Sequence, residues 1–152
     1  MKRSETLLIE LALHENLFGS NPSLAKEYGT TEITIKRKGQ KKELVDFMSY
    51  DAKKDIFRCY EIKVSMNDFH SDAAKSWYGN YNYLVLSKKL YMQQSLDWWK
   101  EQIPNHVGIM FIAPETQYKE VVKKPTYKEI SKEENDFLKR SLIRTLFYKT
   151  MK

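Results

Sequence analysis

The stretch from Asp46 to Lys63 constrains this chain most. Two runs of β-forming residues, Leu44 to Tyr50 and Ile56 to Val64, flank the polar turn Asp51-Ala-Lys-Lys-Asp55. That pattern predicts an antiparallel hairpin. Residues two apart on a strand share a face. Glu61 and Lys63 therefore point to one surface and Ile62 and Val64 to the other, while Asp46 comes from the neighbouring strand. Two carboxylates and an ammonium can meet over an apolar reverse side. The grouping suits Mg²⁺, a hard cation that takes oxygen ligands and keeps several waters, so that one or two carboxylates and a substrate phosphate suffice. Such an ion would act as a Lewis acid and lower the pKa of an attacking water. Lys63 would orient that water or stabilise charge in the transition state. The competing reading is a solvated strand face with a cross-strand ion pair, and Glu-x-Lys alone does not separate the two.

The rest of the chain supplies the elements around this hairpin. Ser4 to Phe18 predicts a helix stopped at Gly19, with Leu7, Leu11 and Phe18 as its buried stripe. Ile33 to Lys38 alternates and predicts a strand. It leads into the basic tip Arg37-Lys-Gly-Gln-Lys-Lys42, which is either a solvated turn or a phosphate-contacting finger. After Lys63, Ser65 or Asn67 can cap a helix that Gly79 ends. Its apolar stripe is Phe69, Ala73 and Trp77. Asp68, Asp72 and Lys75 make a second, polar stripe, read either as a surface face or as the wall of a metal cleft, because the helix starts just past the Lys63 strand. Tyr83 to Leu86 predicts a buried strand, parallel to the Glu61 strand through the intervening helix. Leu90 to Ile103 predicts a helix ended at Pro104, and Val107 to Ala113 a further strand. Glu115 to Tyr127 reads as a charged connector. Ser131 opens a last helix with the stripe Leu138, Leu142 and Leu146.

At 152 residues the chain suits one domain, residues 1–152, with a basic C-terminal helix over 131–150. The formal charge of +6 comes from 26 basic and 20 acidic residues. Ten basic and five acidic residues lie from 119 onward, so nearly all the excess is there. A polyanionic partner or a solvated cationic helix explains this equally well. A single cysteine, Cys59, cannot form an internal disulfide and points to a reducing interior. No apolar run approaches a membrane span, and the N-terminus lacks a signal-peptide core. A cytoplasmic location is the expectation.

An Asp, a hairpin and then Glu-x-Lys resembles the PD-(D/E)XK nuclease superfamily, with Asp46, Glu61 and Lys63 as the matching positions. Val45 stands where the family name has Pro. The run Glu61-Ile-Lys63-Val-Ser65-Met-Asn-Asp68-Phe69, with Asp72, Lys75, Tyr78 and Tyr81-Asn-Tyr-Leu-Val-Leu86, is similar to one branch of that superfamily. The branch holds the bacterial MmcB-like DNA-repair proteins and small phage-encoded proteins of unassigned role. Gly108-Ile-Met-Phe111, Lys123-Lys-Pro125 and Ser141-Leu-Ile-Arg144 extend the likeness over nearly the whole chain.

The resemblance implies an α/β fold with a restriction-endonuclease-like core. A central mixed β-sheet would be flanked by helices in the order α-β-β-β-α-β-α-β-α. It implies Mg²⁺ or Mn²⁺ held by Asp46, Glu61 and the Ile62 carbonyl, with Glu10 of the first helix as an extra ligand. Asp68, Asp72, Lys75 and Tyr78 would line the cleft or meet the strand. The expected activity is hydrolysis of DNA phosphodiester bonds in phage or bacterial DNA metabolism or repair. A homodimer would suit cutting of two strands. Two other readings stay open: an inactive module on the same fold that binds nucleic acid or protein, and a phage structural or host-interaction protein.

Overall fold

The computed structural model describes residues 2–18, 27–71 and 76–151. Six strands form one mixed sheet in sequential order. They are β1 (Glu27–Ile35), β2 (Glu43–Asp51), β3 (Ile56–Lys63), β4 (Tyr81–Ser87), β5 (Gly108–Ile112) and β6 (Lys119–Lys123). β1, β2 and β3 form an antiparallel meander. β3, β4 and β5 run parallel, and β6 returns antiparallel. The helices are α1 (Ser4–Phe18), α2 (Met66–Phe69), α3 (Lys88–Tyr91), α4 (Leu96–Glu101) and α5 (Lys132–Thr150). The mixed α/β architecture with helices on a central sheet is as the sequence predicts.

The hairpin forms because Asp51 closes its turn. Asp51 Oδ1 accepts the N–H groups of Lys53 and Lys54, both at 3.0 Å, and its carbonyl accepts from Asp55 N–H at 2.7 Å. Asp55 takes a left-handed φ of 57°, which Asp tolerates better than most side chains.

Side-chain alternation then divides the core between the two faces of the sheet. Ile9, Ala12 and Leu13 of α1 pack on Phe47, Tyr60, Ile62, Val64, Val85 and Met110. On the reverse face, Leu138 and Leu142 of α5 pack on Ile33, Ile35, Val45, Met48, Phe57 and Cys59. Beside them Phe69, Leu90, Trp99 and Ile103 cover Leu84, Leu86 and Ile109.

The two sheet edges are protected differently. α5 lies along β1: Thr145 Oγ1 takes the Thr34 N–H at 3.5 Å, and Lys149 Nζ donates to the Thr31 carbonyl at 2.6 Å. At the other edge β6 is short, lysine-bearing and bulged against β5. Both devices block pairing with another chain.

Several expectations are corrected. The buried face of α1 is Ile9–Ala12–Leu13, while Leu7 and Leu11 are exposed. The helix is apolar nearly all round, so the sheet, and not periodicity, selects the face. The Leu90–Ile103 helix is two short ones, because Ser95 caps a new start by accepting the Trp98 N–H at 3.1 Å. β1 begins at Glu27, and β6 occupies what reads as a connector. α2 spans only four residues. Gly79 does not end it: a Cβ there would lie 2.9 Å from the Phe57 carbonyl oxygen, so glycine permits close approach to β3. Among the described residues no helix is long and apolar enough to cross a membrane.

The face assignment of α1 gives a direct test. Ile9→Ala should lower stability by about 2–5 kcal/mol, the usual cost of emptying a filled core site. Leu7→Ala should change it by less than about 0.5–1 kcal/mol. Urea unfolding of the two variants measures the difference, and equal losses would contradict the assignment.

Candidate active site

β2 and β3 pair from Asp51 and Ile56 up to Phe47 and Tyr60. Beyond that point β3 continues along β4 as far as Lys63, and β2 continues along β1 as far as Glu43. The strands part where Asp46 and Glu61 would otherwise face each other. A ladder bond is replaced there by a side chain: Asp46 Oδ2 accepts the Ile62 N–H at 2.7 Å. The N–H and C=O of one residue in an extended strand lie on the same edge. The Ile62 carbonyl therefore faces the same gap.

The alternation of β2 also breaks at this position. Phe47 packs under α1, whereas Val45 and Met48 both pack under α5. Glu32, which the register sets across from Asp46, takes a left-handed φ of 55°. Such irregularities re-aim side chains next to functional sites.

A cavity of about 910 Å³ opens at this fork. Asp46, Glu61, Ile62 and Lys63 line it from the strands, Ser65, Asn67 and Asp68 from the α2 region, and Lys2, Arg3, Thr6 and Glu10 from the α1 side. Lys41, Lys42, Glu43 and Leu44 complete it from the β1–β2 turn and the start of β2.

Burial and charge set the electrostatics. The Asp46 carboxyl is held above the ordinary carboxylate range, chiefly because burial removes it from water, with Asp68 adding repulsion. The Ile62 N–H, the Lys63 charge and a hydrogen bond with Glu61 pull it down. Two carboxyls can hydrogen-bond to each other only through a shared proton, whose place a cation could take. Lys63 supplies positive charge beside them. Its side chain is only 4% exposed, and its ammonium lies 3.6 Å from Asp68 Oδ1. Asp68 is itself fixed, because its N–H donates to the Ser65 cap at 3.1 Å and its Oδ2 accepts from Val64 N–H at 3.4 Å.

The structure thus brings Asp46, Glu61, Ile62, Lys63 and Asp68 to one cavity. Glu10 lines the same cavity, where it is held in an ion pair with Lys2 and not with Asp46 or Glu61. Among the described residues no three His, Cys, Asp or Glu side chains form a group that could hold a metal ion. Tyr78 is not on the cavity wall: it packs beside Met48 and Phe57 and donates its hydroxyl to Glu43, which does line the cavity. Burial and that carboxylate push the Tyr78 phenol up to about 12. Asp72 and Lys75 lie outside the described residues. Sequence reasoning missed Glu43, Lys2 and Arg3. The only signal for them was charge on segments that read as a strand end and a chain start. Lys41 and Lys42 belong to the basic tip already suspected of meeting phosphate.

Mg²⁺ and Mn²⁺ fit this donor set. Asp46 and Glu61 offer two hydrogen-bonded carboxyls whose shared proton a divalent charge could replace, the Ile62 carbonyl faces the gap, and the cavity leaves room for waters.

No family profile matches the chain, and no curated protein matches it. Among solved structures it is similar to the SPO1766 protein of unknown function from Silicibacter pomeroyi. The TM-score is 0.68 at 14% identity, over 99% of this chain and 90% of that one. At that identity the likeness shows a shared fold.

The raised Asp46 carboxyl makes a prediction about stability. An acid whose pKa is higher folded than unfolded binds its proton more tightly in the native state, so stability falls as pH rises. The loss sets in near the ordinary Asp value of 3.8 and is complete above the raised one. Asp46→Asn keeps an acceptor for the Ile62 N–H and removes the charge. Without divalent ions the variant should melt higher than wild type at neutral pH, with the difference shrinking toward pH 4. Thermal melts across that range in EDTA measure it.

Proposed function

We propose that this protein is a divalent-cation-dependent nuclease of the PD-(D/E)XK type that hydrolyses DNA phosphodiester bonds. The observation that carries the proposal is the fork itself, where Asp46, Glu61 and Lys63 come together in one open cavity. Asp46 and Glu61 would hold Mg²⁺ or Mn²⁺ with the Ile62 carbonyl as a third protein ligand. When bound, the ion would supply Lewis acidity toward phosphate oxygen and a water of lowered pKa. Lys63 donates to the charge that develops on the phosphate, and Asp68 keeps its ammonium aimed into the cavity. Arg3, Lys41 and Lys42 bring to the rim of this lining the positive charge that a polyanion would meet. Action in the cytoplasm, in phage or bacterial DNA metabolism, belongs to the same proposal and agrees with a lone, buried cysteine.

A second reading is an inactive binding module on this fold. One observation favours it: the nearly complete burial of Lys63 beside Asp68, which is also how a structural ion pair looks.

The test is incubation of the protein with supercoiled, linear and single-stranded DNA in Mg²⁺ or Mn²⁺. Cleavage should require the ion and fall by about 10²-fold or more in Asp46→Asn and in Lys63→Met, as when a transition-state donor is lost. Metal-dependent cleavage that persists unchanged in both variants would refute the assignment. DNA binding with no cleavage under any of these conditions would select the binding module. The cationic lining is checked separately. Replacing Lys41 and Lys42 with Gln should weaken DNA binding and flatten the plot of log affinity against log salt by about 1 for each lysine that meets a phosphate.

A further inference from the structure

Lys2 stands between α1 and β1. Its ammonium pairs with Glu10 and, at 2.8 Å, with Glu32. Glu10 is 9% exposed, whereas half of the Glu32 side chain is open to water. Lys2 and Glu10 line the same cavity as Asp46 and Glu61. A carboxylate as buried as Glu10 requires a compensating cation, since an unpaired charge there would cost several kcal/mol. In this chain a lysine supplies it. Five carboxylates line the cavity: Asp46 lies with Glu61, Asp68 pairs with Lys63, Glu43 accepts from Ser76 and Tyr78, and Glu10 pairs with Lys2, which also reaches Glu32 outside the lining. Glu32 sits on the backbone irregularity of β1, at the register position opposite Asp46.

We propose that the Lys2 ammonium takes the place of a second divalent cation. It neutralises Glu10 and Glu32 from within the chain, so that the cavity accepts one metal ion, at Asp46 and Glu61, and not two. The ammonium is tethered two residues before α1, which keeps its local concentration high against free ions from solution. It also carries no demand for an octahedral oxygen shell, which Mg²⁺ would impose on Glu10. Removing the ammonium and keeping the apolar stem should open Glu10 to a divalent ion. The first ion in this scheme rests on the metal-site reading above, but the part played by Lys2 does not.

The experiment is titration of the full chain with Mn²⁺ alone, counting bound ions by calorimetry and by the electron paramagnetic resonance signal of free Mn²⁺. Wild type should bind one ion, and Asp46→Asn none. Lys2→Met should bind one ion more than wild type, and Lys2→Arg should bind the same number as wild type. The extra ion should vanish when Glu10→Gln is combined with Lys2→Met. Lys2→Gln serves as a second charge-removing variant, with circular dichroism confirming that each variant is folded. An unchanged count in both Lys2→Met and Lys2→Gln would overturn the inference, as would two ions in wild type or an extra ion indifferent to Glu10. The two readings separate cleanly. A Glu10-dependent gain over a wild type that binds none would uphold the role of Lys2 and refute the first-ion site. An unchanged single ion lost in Asp46→Asn would do the reverse.

Discussion

Where β2 leaves β3, two backbone edges must find partners other than each other. An unpaired buried N–H costs about as much as a lost hydrogen bond, so a fork inside a sheet survives only if something fills it. Here the Asp46 carboxylate does so by taking the Ile62 N–H at 2.7 Å. The same bond fixes where Asp46 lies relative to Glu61 and Lys63. The cavity, the grouping of acids and the approach of the β1–β2 turn all follow from that parting. β3 is held on its far side by parallel pairing with β4 through Lys63, so the fork opens on one side only.

Charge is distributed unevenly around this opening. The acids on the strands are withdrawn from water, and Asp46 is held above its ordinary range mainly by that withdrawal. Lys2, Arg3, Lys41 and Lys42 come to the cavity from α1's approach and from the β1–β2 turn. Lys2 is paired with Glu10 and Glu32, so a polyanion would be drawn by Arg3, Lys41 and Lys42 toward carboxylates that repel it unless a cation intervenes. This arrangement is costly for a protein that only needs to fold. Apolar residues at Asp46, Glu61 and Lys63 would fill the same space with less desolvation of charge. That cost is the physical argument for reading the group as chemistry and not as an ion pair alone.

Much of this was legible in the sequence because the relevant signals are local. Alternation and a polar turn announce β2 and β3, and period 2 puts Glu61 and Lys63 together. The leucines at 138, 142 and 146 announce α5. Other features depend on contacts distant in sequence. α1 is apolar on most sides, and only the sheet decides that Ile9 and Leu13 go inward. β6 reads as a connector because Lys119 to Lys123 is mostly polar, and its strand character comes from pairing with β5. The break in alternation at Asp46 has no signature in composition, and neither does the left-handed Glu32 opposite it. Lys2 and Glu10 lie eight residues apart, and helix periodicity does not pair them, since Lys2 precedes the helix. Glu43 reaches the cavity for a similar reason: Tyr78 and Ser76, more than thirty residues later, hold its carboxylate.

The account depends most on a single ion closing the gap between β2 and β3. Crystals of the protein soaked in Mn²⁺ and measured near the manganese absorption edge would locate any bound ion directly. The account predicts an anomalous peak in the fork, about 2.1 Å from carboxylate oxygens of both Asp46 and Glu61. A peak confined to other residues, or none at saturating Mn²⁺ with both carboxylates ordered, would contradict it.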